Sequence, residues 1–142
     1  MYPAEFIVYY KTLEVTLTSL RKAVLFSLWG AQKPLKAYDI LESLLKIKPG
    51  STAVTVYRVL SFFMSAGIVH KIESIQSYML CREPDRQLPS EVLMVCHMCH
   101  QVKEIYDEYV LKLVKELTIK SHFHLSQETI ELRGLCSGCL IH

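Results

Sequence analysis

The sequence has no long apolar run, and this absence argues against a membrane-spanning helix. Its longest stretches without a charged residue or histidine are residues 23–32 and 59–69, well short of the ~18 apolar residues that a helix needs to cross a bilayer. The amino terminus also lacks the basic start that is typical of a secretory signal peptide. We therefore expect a cytoplasmic protein with no membrane partner.

A strong excess of one charge is also missing, since the formal net charge is only +2. The composition, 51% hydrophobic and 21% charged, is that of a globular protein with a buried core. Residues 1–80 carry nine Lys and Arg against five Asp and Glu, whereas residues 81–142 carry seven against nine. The basic first half is suited to a polyanion, although so mild an asymmetry is also common on ordinary surfaces.

Residues 1–81 show four helical patterns followed by a hairpin pattern. Apolar side chains recur at helical spacing in four segments: residues 2–13, a segment beginning at Thr18, residues 36–45 and residues 52–65. Two short β-like runs, residues 68–73 and 77–81, then flank a turn. This order predicts a winged helix-turn-helix domain.

The fourth helix has an apolar stripe and a polar face. Its stripe, which we expect to be buried, consists of Val56, Val59, Leu60 and Phe63. Four other side chains lie off the stripe and can face outward: Thr55, Tyr57, Arg58 and Ser61. A polar face on a helix that is otherwise buried favours a binding partner.

Residues 82–90 contain two prolines and mixed charges without apolar periodicity, so they are interpreted as a hinge. Residues 91–142 then form a second, small α+β domain. Strand patterns at 92–95 and 101–106 flank a Cys-x-x-Cys turn, a helical pattern covers 107–117, and β character returns over 121–132. The whole chain is predicted to be α+β.

Two Cys-x-x-Cys pairs, Cys96 with Cys99 and Cys136 with Cys139, carry the strongest chemical signal. The two-residue spacing lets both sulfurs of a pair reach one tetrahedral ion, so four thiolates predict structural zinc. Disulfides and a thioredoxin-like redox motif are the alternatives. Zinc also has an energetic purpose, because a domain of about 55 residues gains only a few kcal/mol from its core, whereas a structural zinc contributes roughly 10 kcal/mol or more.

The fifth cysteine, Cys81, ends one strand of the hairpin, and His70 lies in the other strand. Across a hairpin the two side chains can converge on a second metal. Taken alone, a single His is more often a surface or packed residue, and a single Cys is often a small core residue.

Together, these motifs resemble the ferric uptake regulator superfamily, and within it the zinc uptake regulator branch. The similarity covers nearly the whole chain, including both Cys pairs and the run Val102-Lys103-Glu104. The other matching segments follow in order: Ala37-Tyr38-Asp39-Ile40-Leu41, Thr55-Val56-Tyr57-Arg58-Val59-Leu60, Gly67-Ile68-Val69-His70-Lys71-Ile72-Glu73-Ser74 and Tyr78-Met79-Leu80-Cys81.

The resemblance implies a homodimeric repressor with a DNA-binding winged helix, residues 1–81, and a dimerisation domain, residues 91–142, that holds the four-Cys zinc. It also implies a second, regulatory zinc between the domains, with His70, Cys81 and Glu104 as ligands. The histidine that the family places eight residues after Cys81 is Pro89 here. A substitute donor is needed, and Glu91 is the nearest candidate, with Asp85 and Glu83 as others.

The iron and peroxide sensors of the superfamily use imidazoles that this chain lacks. Their His-rich run before the first Cys pair corresponds to residues 89–93, and a further His before the last strand corresponds to Gln127. The thiolate of Cys81 favours zinc over the octahedral iron site.

For the DNA contact, the resemblance makes Arg58 a base reader, because an Arg can pair with both O6 and N7 of guanine. Tyr57 is placed to contact a phosphate or a thymine methyl group. Thr55 shares the outward face, and Lys71 on the wing is a candidate phosphate contact, although a solvated surface lysine is an equal alternative.

These observations predict a zinc-responsive repressor of zinc-uptake genes that binds operator DNA as a homodimer and holds two zinc ions per chain. It is not expected to be an enzyme or to have a small-molecule substrate, because a closed tetrahedral site leaves no open coordination position. The alternatives are a metal-blind or other-metal-responsive member of the superfamily and a Cys-x-x-Cys thiol oxidoreductase.

Overall fold

The computed structural model describes residues 1–31, 33–81, 91–125 and 129–141. The chain divides into two compact units, Met1–Pro84 and Asp85–His142. The predicted hinge, residues 82–90, lies outside the described residues. Within the described part of the chain, no helix has both the length and the apolar character that a membrane crossing requires.

The first unit contains four helices followed by a two-stranded antiparallel hairpin, as the sequence predicted. The helices are α1 (Ala4–Lys11), α2 (Ser19–Trp29), α3 (Ala37–Ile47) and α4 (Ala53–Ser65). The hairpin strands are β1 (Val69–Ile72) and β2 (Ser77–Leu80), joined by a 3-10 turn at Glu73–Ile75. This is the winged helix-turn-helix arrangement.

Helices α2, α3 and α4 begin where a side chain accepts a hydrogen bond from a backbone N–H group of the first turn. The hydroxyl of Thr18 accepts a hydrogen bond from the backbone N–H of Arg21 at 3.2 Å, and that of Thr52 accepts one from Thr55 at 3.4 Å. At the start of α3, the backbone N–H of Lys36 donates to the Asp39 carboxylate at 2.9 Å. Such caps stabilise a helix by about 1 kcal/mol each and explain these starting points.

The predicted stripe of α4 is buried, with Val56, Leu60 and Phe63 at 0% exposure. These side chains join one core that α1, α2 and α3 share. Burying a large apolar side chain contributes about 1.5–3 kcal/mol. The core therefore fixes which face of α4 is left for solvent.

The wing is attached to the helices by a backbone bridge. Leu35, just before α3, and Tyr78 on β2 exchange two hydrogen bonds, from Tyr78 N–H to Leu35 C=O at 2.7 Å and from Leu35 N–H to Tyr78 C=O at 2.9 Å. The wing turn closes at Gln76, whose φ of 49° is left-handed.

The second unit is a three-stranded sheet with two helices. In chain order the elements are β3 (Glu91–Cys96), β4 (Val102–Ile105), α5 (Glu108–Lys120), β5 (Thr129–Gly134) and the short α6 (Ser137–Leu140). The strand order is β4-β3-β5, with β3 antiparallel to β4 and parallel to β5. Leu93 and Val95 on β3 and Leu111 on α5 are buried.

The prediction of β structure over residues 121–132 was wrong in its first part. The helix α5 runs to Lys120 and closes with a turn in which the backbone N–H of Phe123 donates to Thr118 C=O at 2.9 Å and His122 adopts a φ of 53°. Residues up to 123 are thus used to end the helix, and β5 begins only at Thr129.

Candidate metal centre

The four predicted cysteines come together at one end of the three-stranded sheet. Cys96 is the last residue of β3, Cys99 lies in the turn that follows, and Cys136 and Cys139 flank the start of α6. All four sulfurs lie within 4.8 Å of one another. All five cysteines of the chain are among the described residues, and none forms a disulfide.

The parallel pairing of β3 with β5 explains why pairs so distant in sequence meet. Cys96 is aligned with Gly134, which precedes Cys136 by two residues. Beyond the strands, the backbone N–H of His97 donates to Gly134 C=O at 3.0 Å. The turn after β3 is closed by His100, whose φ is 63° and whose N–H donates to Cys96 C=O at 2.9 Å. This turn returns Cys99 toward Cys96.

The spacing of the sulfurs fits a tetrahedral ion. Two thiolates bound to one zinc at about 2.3 Å in tetrahedral geometry lie about 3.8 Å apart. The sulfurs of Cys99 and Cys136 are separated by 3.8 Å. The cluster therefore has the donor set and the dimensions of a closed four-thiolate metal site.

The hydrogen bonds inside the cluster distribute its charge unevenly. Backbone N–H groups of Cys99 and Cys136 donate to the Cys96 sulfur and lower the pKa of that thiol to about 5. Hydrogen bonds with the sulfurs of Cys136 and Cys96 raise the pKa of Cys139 to about 12. In the metal-free cluster these hydrogen bonds therefore favour negative charge at Cys96 and disfavour it at Cys139.

A second pair of donors lies on the wing. The ligand atoms of His70 on β1 and Cys81, which follows β2, are within 4.8 Å of each other. The pairing of His70 with Met79 and the hydrogen bond from Cys81 N–H to Ile68 C=O at 2.8 Å bring the two residues to the same end of the hairpin. The hairpin therefore supplies one nitrogen and one sulfur ligand, both half-buried.

The remaining predicted ligands belong to the second unit. Glu104 is half-buried on β4, where it pairs with Leu93 of β3. Glu91 is the first residue of β3, and only its backbone is described. The other positions considered for the fourth ligand, Glu83, Asp85 and Pro89, lie outside the described residues, as does Gln127, which replaces a histidine of the iron and peroxide sensors.

Tyr9 lies on α1, within the helical segment predicted for residues 2–13, and is near the wing donor Cys81. Its hydroxyl oxygen is buried and has no hydrogen-bond partner among the described residues. Burial, and secondly the negative charge that Cys81 can carry, raise the pKa of Tyr9 to about 12. No sequence pattern could have identified it, because its position on α1 is that of a core residue.

The outward face of α4 is accessible as predicted. Arg58 is exposed and Tyr57 is 47% exposed, while Thr55 is half-buried with its hydroxyl 3.2 Å from that of the cap residue Thr52. On the wing, the Lys71 ammonium lies 3.6 Å from the Glu73 carboxylate. The structure therefore leaves Arg58 and Tyr57 open to a partner and places Lys71 in a surface ion pair.

Comparison with known proteins identifies the family. The ferric uptake regulator family matches residues 12–133. The zinc uptake regulation protein of Escherichia coli (strain K12) is 36% identical over 126 residues, which are 89% of this chain and 74% of that protein. A structure of a zinc uptake regulator complexed with zinc and DNA superimposes with a TM-score of 0.86 at 34% identity, covering 97% of this chain and 92% of the other.

A second solved structure, of holo XcZur, has a TM-score of 0.83 at 30% identity and covers 97% of this chain and 99% of the other. Members of the matching family are transcription regulators, so the thiol oxidoreductase alternative is not supported and the chain is not an enzyme. The resemblance inferred from the sequence motifs is confirmed. The chain belongs to the ferric uptake regulator family, and within it to the zinc uptake regulator branch.

Proposed function

We propose that this protein is a zinc-responsive repressor that binds operator DNA as a homodimer and controls genes for zinc uptake. The observation that carries the proposal is the match, over 97% of this chain, to a zinc uptake regulator solved with zinc and DNA. The four-sulfur cluster and the His70–Cys81 pair supply this chain's own donors for that metal. A cytoplasmic location, where such a protein meets DNA, is part of the proposal.

The proposed DNA contact is the outward face of α4 together with the wing. Arg58 and Tyr57 are exposed on a helix whose other face is fixed by the core. An Arg in a major groove reads guanine through two hydrogen bonds, and a Tyr contacts phosphate or a thymine methyl group. Thr55 would contribute at the start of the helix, and Lys71 would exchange its ion pair with Glu73 for a phosphate.

The proposed structural zinc is held by Cys96, Cys99, Cys136 and Cys139. Four thiolates leave no position for a substrate, so the ion stabilises the fold. Its effect would be large for this unit because, among the residues described there, few apolar side chains are buried: Val92, Leu93, Val95, Cys96 and Leu111. The supporting geometry is the 3.8 Å separation of the Cys99 and Cys136 sulfurs.

The proposed regulatory zinc, the second ion per chain, is held by His70, Cys81 and Glu104. One imidazole, one thiolate and one carboxylate form a donor set that suits zinc better than iron. A fourth donor completes a tetrahedron, and we assign it to Glu91, with Asp85, Glu83 or water as the alternatives. When bound, the ion would supply a bond network that favours one arrangement of the chain over others.

The proposed homodimer would form through the second unit, which exposes several apolar side chains. Met94 and Leu132 are neighbours on the paired strands β3 and β5 and are 43% and 48% exposed. On α5, Tyr109, Leu113 and Leu117 recur at four-residue spacing and are also exposed. Apolar side chains grouped on a surface are typical of a protein interface.

Repression in response to zinc requires that the ion bind the DNA-competent state more tightly than the other states. A coupling of about 1–3 kcal/mol corresponds to roughly 5–150-fold in operator affinity. Excess zinc would then increase operator binding and reduce zinc uptake, which is the negative feedback that zinc homeostasis requires.

The test is a zinc titration of DNA binding. A duplex is selected from a random pool by the zinc-loaded protein, and its affinity is measured by fluorescence anisotropy as free zinc is buffered upward. We expect affinity to rise with zinc and to fall when a chelator removes the regulatory ion. Binding that ignores the chelator would favour the metal-blind alternative instead.

Two variants separate the two proposed sites. Cys81→Ser should abolish the zinc response of DNA binding while the four-cysteine zinc stays in place, and Glu91→Ala should move the zinc midpoint upward. An unchanged midpoint in Cys81→Ser would show that sensing occurs elsewhere. If Glu91→Ala leaves the zinc midpoint unchanged, the fourth ligand is Asp85, Glu83 or water instead of Glu91.

A further inference from the structure

The hydroxyl group of Tyr9 is a buried donor without an acceptor. Its oxygen has no solvent contact and no hydrogen-bond partner among the described residues. The ring itself is well placed, because it packs edge-on against Phe6 at a centroid distance of 6.4 Å and belongs to the periphery of the core. A phenylalanine would make the same apolar contacts, so the hydroxyl adds a cost that packing does not explain.

That cost is substantial in general terms. A buried polar group without a partner destabilises a protein by about 1–3 kcal/mol, and each such group in a native structure calls for an explanation such as a functional role or a bound water or ion. The hydroxyl is protonated at neutral pH, since a phenol ordinarily ionises only near pH ~10. It is therefore a donor under all physiological conditions, and it needs an acceptor nearby.

Cys81 is the nearby group whose acceptor strength can change. Leu80, the residue before Cys81, packs against the same core as Tyr9, and Cys81 lies close enough for its negative charge to act on the phenol. A neutral thiol is a weak acceptor, whereas the thiolate that binds a metal is a strong one. Groups that hydrogen-bond a metal ligand orient it and tune its affinity.

We propose that the Tyr9 hydroxyl donates a hydrogen bond to the Cys81 sulfur when that sulfur holds the regulatory metal, which makes Tyr9 a positioning residue of the sensor site. This role rests on the proposed function. It connects α1, at the start of the chain, to the metal-binding end of the wing, so that occupancy of the site tightens the attachment of α1.

The test compares Tyr9→Phe with the matched control Tyr10→Phe. Tyr10 is the next residue on α1 and also packs against Phe6, at 5.3 Å. The full-length protein, with its four-cysteine zinc in place, is titrated with Co²⁺ as the probe, and the thiolate-to-cobalt charge-transfer band is recorded. Zn²⁺ affinity is then measured by competition against bound Co²⁺.

We expect Tyr9→Phe to lower the affinity for both Co²⁺ and Zn²⁺ about ten-fold, as the loss of a group that hydrogen-bonds a metal ligand commonly does. The charge-transfer band should also move to lower energy. The band moves because a sulfur without a hydrogen bond releases its electrons more easily. The thermal stability of the protein without the regulatory ion should be unchanged or higher, since the buried hydroxyl is gone. Tyr10→Phe should change neither affinity nor band.

The outcomes distinguish the proposed role of Tyr9 from the proposed regulatory metal site on which it rests. A wild-type band that survives in Cys81→Ser, or no band at all, would overturn the regulatory site and the role of Tyr9 together. A Cys81-dependent band that is identical in Tyr9→Phe would overturn the role of Tyr9 alone. Equal losses in Tyr9→Phe and Tyr10→Phe, with lower stability without the ion, would assign the effect to packing of α1 and also overturn it.

Discussion

The sulfur atoms of Cys99 and Cys136 lie 3.8 Å apart although 37 positions separate the two residues in the chain. The cluster therefore joins the turn after the first strand of the second unit to the segment after its last strand. An ion held there would act as a cross-link between distant parts of the chain. Cross-links that close long loops remove more conformational entropy from the unfolded chain than those that close short loops. Loss of one ligand should consequently affect the whole unit.

Replacing Cys96 by Ser should remove the tight zinc and unfold or monomerise the protein. Cys96 is buried at the end of β3, so its replacement leaves an incomplete site that water cannot easily fill. Metal content by elemental analysis, dimer content by sedimentation and thermal unfolding by circular dichroism are the measurements. A Cys96→Ser protein with unchanged metal, dimer and stability would show that the cluster is not a structural zinc site.

Zinc affinity of the four-cysteine cluster should fall as the pH falls. Bound thiols must lose their protons, and the pKa of Cys139, about 12, means that this proton is present in the metal-free protein at neutral pH. The pKa of Cys96 is lowered to about 5, so this thiol has already lost its proton at neutral pH. We therefore expect zinc binding at pH 7.5 to release fewer than four protons per ion.

Proton release is measured with a pH indicator in weak buffer, using the Cys81→Ser variant so that only the cluster takes up zinc. Affinity is measured against a chromophoric chelator between pH 6 and 8. An affinity independent of pH, or a release of four protons, would contradict the charge distribution within the cluster.

Arg58→Ala should weaken operator binding by about 1–3 kcal/mol and relax discrimination at one base position, as loss of a bidentate base contact does. Ser65→Ala, at the exposed end of the same helix and outside the proposed contact, is the matched control and should have little effect. Anisotropy titrations on the selected duplex and on scrambled DNA give the comparison. Equal losses on both duplexes would make Arg58 a phosphate contact.

Leu60→Ala should reduce the free energy of unfolding by about 2–5 kcal/mol, the usual range for a large apolar side chain lost from a core. Leu60 is fully buried on α4. Ser65→Ala at the exposed end of the same helix should leave stability nearly unchanged. Urea unfolding of the zinc-loaded dimer at fixed concentration provides both values, and a small loss in Leu60→Ala would place this residue outside the core.

The order of elements in the first unit was predictable because its signals are local. The stripe from Val56 to Phe63 recurs at the helical period, and Thr18 and Thr52 precede helices as hydroxyl caps. The cysteine cluster was predictable for a similar reason, since each pair carries its own two-residue spacing. Structure was needed to show that the two pairs meet.

Features that depend on tertiary contacts were not predictable. The parallel pairing that aligns Cys96 with Gly134 involves strands separated by a helix, and periodicity does not specify a partner strand. The β structure predicted from residue 121 onward was wrong at its start because residues 121–123 form the turn that ends α5, a role set by hydrogen bonds back to the helix. The unpartnered hydroxyl of Tyr9 has no local signature, because its ring satisfies the apolar pattern of α1.

The two hydrogen bonds between Leu35 and Tyr78 have a consequence for the entropy of recognition. A hairpin of two four-residue strands is marginally stable by itself, yet this one is anchored to the chain entering α3. The wing is thus ordered before any partner arrives, and it loses little conformational freedom on docking. Weakening this anchor, for instance with proline at Leu35, would convert a preformed contact surface into one that must fold as it binds.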